Sequence, residues 1–172
     1  MVVPGRILGR MTETVEVLVV GEGPVASAIT PMLTALGWSP VAATTLDEVR
    51  AGLGSADAVV VLSHHEGLDA PAIREALAAG TAYVGAMGSR RTQARRREWL
   101  LDNGVDDAGL ATLRAPVGLD IGADEPGEIA VSILAEIVAV RRGATAAVGS
   151  ISARDGAIHP DLDPGTATCP GG

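Results

Sequence analysis

A chain of 172 residues with 47% apolar and 20% charged residues has the balance of one globular domain with its own core, which excludes a disordered protein. Net charge is −8, all thirteen basic residues are arginine, and two Trp and one Tyr are the whole aromatic complement. Both features argue against nucleic-acid binding, which draws on cationic surface and on stacking platforms. No apolar run approaches the ~20 residues of a membrane span. The opening MVVPGRILGRM lacks the apolar stretch of a secretory signal, and the single Cys169 suits a reducing, cytoplasmic setting.

Val15–Val20 (VEVLVV) is a continuous apolar run ending at Gly21, the pattern of a buried strand. A helix follows over Pro24–Leu36, closed by Gly37, with Pro31 expected to kink it for want of a backbone donor. Val41–Thr44 reads as a weak strand. Thr45-Leu-Asp-Glu48 is a capping box that opens a short helix to about Leu53. Asp57–Leu62 (DAVVVL) is a second strong strand, and Pro71–Ala79 a helix with Asp69 placed as its N-cap. Ala82–Met87 is a strand and turn, after which Ser89 caps a helix from Arg90 to about Asn103. Ala111–Ala115 reads as a short strand. The last helix starts near Pro126, carries Ile129, Ile133, Ile137 and Val140 on one face, and ends at Gly143.

Strands alternating with helices at this spacing predict parallel βαβ units. The expected fold class is α/β, a doubly wound, mainly parallel, Rossmann-like sheet of about five strands. It occupies residues 13–148, with residues 1–12 and 149–172 read as tails.

The turn after the first strand, Gly21-Glu22-Gly23-Pro24-Val25-Ala26, is a G-x-G-x-x-A fingerprint. Gly21 makes the tight turn, Gly23 lets a phosphate approach the backbone, and Ala26 keeps helix close to sheet. Glu22 and Pro24 weaken the case, as does the second strand, which ends without the acid that holds a ribose diol. Simple strand–helix packing explains the same glycines. Ser63-His64-His65 ends the third predicted strand at the carboxyl edge of the sheet, where ligands of open α/β folds bind. His64 or Asp69 is placed there to orient a ligand or relay a proton; adjacent histidines point apart, so no metal site is expected.

Farther along, Gly85, Gly88, Ser89, Arg90 and Arg91 gather arginines at a helix start, where they oppose the helix dipole unless an anion offsets them. Arg96 and Arg97 read instead as a solvated face paired with Glu98 and Asp102. Gly118 and Asp120 sit in the glycine-punctuated loop Pro116–Gly122, with Asp120 free to bind a polar group or its own loop amides. No Ser-His-Asp or paired-carboxylate arrangement emerges, so no catalytic residue is assigned.

Tyr83-Val-Gly-Ala-Met-Gly-Ser-Arg-Arg-Thr92, Ala115-Pro-Val-Gly-Leu-Asp-Ile-Gly122 and Glu128-Ile-Ala-Val-Ser-Ile-Leu-Ala-Glu-Ile-Val138 resemble the C-terminal Rossmann domain of the XdhC/CoxI family. Ser63-His64 and Asp69 are similar to that family's Thr-His-Asp segment, with Ser for Thr and His65 where an acid is usual. The resemblance spans about Val15 to Arg142. It implies a maturation factor for molybdenum hydroxylases of the xanthine dehydrogenase and carbon monoxide dehydrogenase type. Such a factor binds molybdenum cofactor, as molybdopterin or its cytosine dinucleotide, protects it while a cysteine desulfurase-linked step supplies sulfur, and delivers it to the apo-enzyme. Longer members carry an N-terminal domain with a cysteine–glycine motif that these residues lack. Binding and delivery beside a separately encoded N-terminal-type partner are therefore expected, rather than sulfur handling or turnover catalysis. An anionic pterin suits the glycine turn and Ser89–Arg91. The alternatives are an NAD(P)-binding oxidoreductase and a ligand-free interaction module. A homodimer is compatible with so apolar a sheet domain, and neither nucleic acid nor membrane is expected as a partner.

Overall fold

The structure, a computed structural model, describes residues 14–144 and residue 148; Cys169 and the two segments read as tails lie outside the described residues. Five parallel strands carry the fold: β1 (Glu16–Val20), β2 (Ser39–Ala43), β3 (Ala58–Val61), β4 (Tyr83–Ala86) and β5 (Leu113–Arg114). They lie in the order β2-β1-β3-β4-β5. The helices between them are α1 (Pro24–Ala35), α2 (Leu46–Gly52), α3 (Glu66–Ala78), α4 (Arg90–Asp102) and α5 (Asp107–Thr112), and α6 (Pro126–Arg141) closes the domain.

Strand periodicity sorts the core into two layers. Val17, Val19, Ala58, Val60 and Tyr83 face α1 and α6, where Ile29, Leu33, Ile133 and Ile137 meet them. Leu18, Val20, Val59, Val61 and Val84 face the opposite way, against Val49 of α2, Ile73 and Ala76 of α3, and Leu100 of α4. The central strands are thus buried on both faces, which is why they read as unbroken apolar runs.

Several boundaries differ from the sequence expectation. α3 begins at Glu66, five residues before Pro71, and Pro71 lies inside it. The carbonyl of His65 accepts from Leu68 N and Asp69 N, both 2.9 Å, and burial of Leu68, Asp69 and Ala70 holds that early turn in place. Asp69 is therefore a buried residue of the first turn rather than an N-cap. α1 spans Pro24–Ala35 with Pro31 inside it, as the sequence places it. Of the segment expected as a strand, Ala111–Ala115, the first two residues end α5, which is capped by Asp106 Oδ1 accepting from Gly109 N at 2.8 Å, and the strand itself is β5. Only Leu113 and Arg114 pair with β4.

Candidate functional site

The chain moves outward from β1 to β2 and then returns to β3 on the other side of β1. The loops after β1 and β3 therefore part from a common point, the switch point where ligands of such sheets bind. Hydrogen bonds stitch the loops along this edge. Gly21 N donates to Ala43 O at 2.8 Å, Leu62 N to Val20 O at 2.8 Å, Met87 N to Val61 O at 2.8 Å, and Val117 N to Ala86 O at 3.1 Å.

Gly21 has φ +101°, and a Cβ there would stand 2.5 Å from Ser63 Cβ. Ser63 is buried and its Oγ accepts from His65 N at 3.0 Å, fixing the start of the β3–α3 turn. Gly23 is the N-cap of α1, with φ 127° and ψ −176°. No described residue lies within 4 Å of a Cβ built on it, so its glycine character answers to backbone conformation and leaves open space above the turn. Ala26 lies in α1 and packs against the α1/α6 core layer. Gly21, Ser63 and His64 share a small cavity of about 190 Å3 with Glu22, Thr44, His65 and Leu68.

The end of β2 carries no acid of its own, and Glu48 of α2 turns back to cap it. Glu48 Oε2 accepts from Thr44 N at 2.7 Å and from Thr45 N at 3.1 Å. The Thr44 backbone bond, with the Thr44 hydroxyl and Thr45 amide, holds the Glu48 carboxyl below the usual glutamate range. Asp47 pairs with Arg50 at 3.3 Å.

The β4–α4 turn is held from below by α4. Gln93 Nε2 donates to Ala86 O at 3.0 Å, and Arg96 Nη1 to Met87 O at 2.6 Å. Gly88 lies over these side chains, and Ser89 caps α4 as expected, its Oγ accepting from Thr92 N at 3.2 Å. Arg96 corrects the sequence reading: it is 6% exposed, not solvated, and its Nη2 pairs with Asp69 of α3. Arg97 pairs with Asp107 of α5 at 2.9 Å in place of Glu98 or Asp102, and Arg95 pairs with Glu66 at 3.0 Å. Arg90 and Arg91 are exposed and form no ion pair with another described residue.

Gly85 and Gly118 belong to a different cluster. Gly85 is buried, and a Cβ there would meet Val117 Cγ2 at 2.5 Å. Gly118 N donates to Glu136 Oε2 at 3.0 Å, which also accepts from the buried Tyr83 hydroxyl at 2.6 Å. Burial, reinforced by Glu136, pushes the Tyr83 phenol far above its ordinary range. Ser132 Oγ donates to Leu119 O at 3.1 Å and completes the docking of this loop on α6, with Asp120 exposed beyond it. The sequence expectations thus separate into three places: the switch-point cavity, the β4–α4 turn, and the loop on α6. Glu136, Gln93 and the Asp69–Arg96 pairing were not foreseen. The spacing of Gln93, Arg96 and Leu100, one helix face, is the signal that points Arg96 inward.

Residues 17–137 match the family described as the XdhC Rossmann domain. The chain belongs to that family. A relative in Escherichia coli, the molybdenum cofactor insertion chaperone PaoD, is 36% identical over 84 residues, 49% of this chain and 26% of PaoD. A Bacillus subtilis protein, named as a probable subunit of xanthine dehydrogenase, is 38% identical over 86 residues, 50% of this chain and 24% of the relative. The crystal structure of a xanthine dehydrogenase from Bacillus halodurans superposes with a TM-score of 0.58 at 23% identity, over 81% of this chain and 46% of that one. At that identity the likeness is one of fold. The matched part of this XdhC domain spans about a quarter of the length of these two curated relatives. Among the described residues no helix is long and apolar enough to cross a membrane.

Proposed function

We propose that this XdhC-type domain binds molybdenum cofactor as cargo, in the cytoplasm, and assists its insertion into the apo-form of a molybdenum hydroxylase of the xanthine dehydrogenase type. The observation that carries the reading is its family membership, joined to the match with a relative named for cofactor insertion. The chemistry of the sheet edge supports it. An anionic pterin phosphate needs cations and an open backbone turn, and the edge offers Arg90 and Arg91 without described partners and open space above Gly23. Gly21, Ser63 and His64 line the neighbouring cavity. Gly88 and Ser89 shape the turn that presents the arginines, and Asp120 stands exposed on the separate loop.

An NAD(P) oxidoreductase is less well served by the same edge, because β2 runs into Thr44 and Thr45 without an acid at its end and Glu48 is consumed by capping. The domain acts by holding the cofactor and handing it over, beside a partner that carries out the sulfur chemistry. Removing the gene from its host tests this. The partner hydroxylase is expected to accumulate folded but poor in molybdenum; a hydroxylase loaded to the normal level would overturn the proposal.

A further inference from the structure

Between α3 and α4 lies a cleft of about 400 Å3 whose walls include Asp69, Arg95, Arg96 and Trp99. Its floor is an ion pair. Arg96 Nη2 donates to Asp69 Oδ2, and the two side chains are only 7% and 4% exposed. Because Arg96 also donates to Met87 O, the carboxylate is held by a group that is itself anchored. Asp69 Oδ1 is buried and has no hydrogen-bond partner among the described residues. A carboxylate oxygen withdrawn from water and left unbonded favours any ligand that brings a donor to it.

The mouth has different properties. Glu66 and Arg95 span it at 3.0 Å, but they are 82% and 61% exposed. An ion pair so exposed holds weakly, so an anionic ligand group can take Arg95 from Glu66. Trp99 supplies an aromatic wall, with Arg74 Cζ 5.9 Å from its ring centroid. The cleft volume falls within the range of small-molecule sites.

We infer that this cleft is the seat of a planar amino-heterocycle whose exocyclic amino group donates to Asp69 Oδ1, whose face lies on Trp99, and whose acidic substituent engages Arg95. Naming the ring a pterin rests on the proposed function; a guanine base carries the same aminopyrimidinone edge. His64 lines both this cleft and the cavity at the glycine turn, so a ligand seated here can extend toward the strand ends.

The test uses the full chain with Trp38→Phe, which leaves Trp99 as its one tryptophan, titrated with pterin-6-carboxylate, 6-methylpterin, a 2-dimethylamino pterin and GMP. Both pterins with a free amino group are expected to quench Trp99 saturably, and the dimethylated analogue to bind at least about tenfold more weakly. Arg95→Gln is expected to erase the preference for the carboxylate while leaving 6-methylpterin affinity unchanged. Emission anisotropy of the pterin itself repeats the titration on the unmodified chain, should Trp38→Phe fold poorly. Absence of saturable binding, or equal binding of the dimethylated analogue, would overturn the inference. Binding of GMP in preference to both pterins would keep the subsite and overturn its assignment to a pterin. Pterin binding together with normal hydroxylase loading in the deletion strain would overturn the maturation role and leave the cleft assignment standing.

Discussion

Arg95 and Arg96 are neighbours on α4 and both pair with acids of α3, yet burial gives them different weight. The Asp69–Arg96 pair is removed from water, so replacing one partner strands a buried charge. Arg96→Met is expected to lower stability by about 3–5 kcal/mol, whereas Glu66→Gln leaves the urea midpoint nearly unchanged because its pair is solvated. Equal, small shifts in urea unfolding would contradict this. The glycines of the first turn separate in the same way. Gly23→Ala meets no neighbour and carries only backbone strain, about 1–3 kcal/mol for a conformation that is essentially glycine's own. Gly21→Ala adds a collision with Ser63, which contributes about 1–3 kcal/mol more. Urea midpoints of the two variants decide the order, and Gly23→Ala at least as destabilised as Gly21→Ala would refute it.

Elements were legible where local signals and tertiary packing agree. The apolar runs of β1 and β3, the Thr45–Glu48 box and the Ser89 cap all stand where the sequence places them. α3 departs because Pro71 reads as a first-turn residue, while the buried pairing of Asp69 recruits a turn upstream of it. α5 departs because Asp106 is a cap whose helix is only six residues long, too short for periodicity to reveal. In the candidate site, glycines and arginines were visible as residue types, but only the helical spacing of Gln93, Arg96 and Leu100 sets Arg96 apart from its solvated neighbours, and its partner Asp69 emerges only with α3 beside it.

Two of the caps also set the acid response. Backbone donation from Thr44, then from its hydroxyl and from Thr45, lowers the Glu48 pKa, and donation from Asp124 and then Glu125 lowers that of Glu128. A carboxyl with a depressed folded-state pKa stabilises above its unfolded value, and the benefit is lost as pH falls through the folded one. Glu128→Gln should therefore destabilise the protein at about pH 7 and show a smaller further loss than the parent on descent to about pH 3. Urea unfolding at both pH values measures this, and parallel losses in parent and variant would exclude it.

For the whole molecule, the five-stranded sheet with its 2-1-3-4-5 order brings a glycine turn, a histidine and the α4 arginines to one edge. That edge is common to many α/β proteins, so fold alone does not choose the ligand. The choice rests on family membership and on the end of β2, which carries no acid of its own and whose neighbour Glu48 is consumed by capping. Anaerobic calorimetric titration of the purified chain with molybdopterin cofactor, its cytosine dinucleotide form, NAD and NADP in parallel tests it most directly. The account predicts that a molybdopterin species binds at least about tenfold more tightly than either nicotinamide dinucleotide. Preference for NAD or NADP, or heat from none of the four, would contradict it.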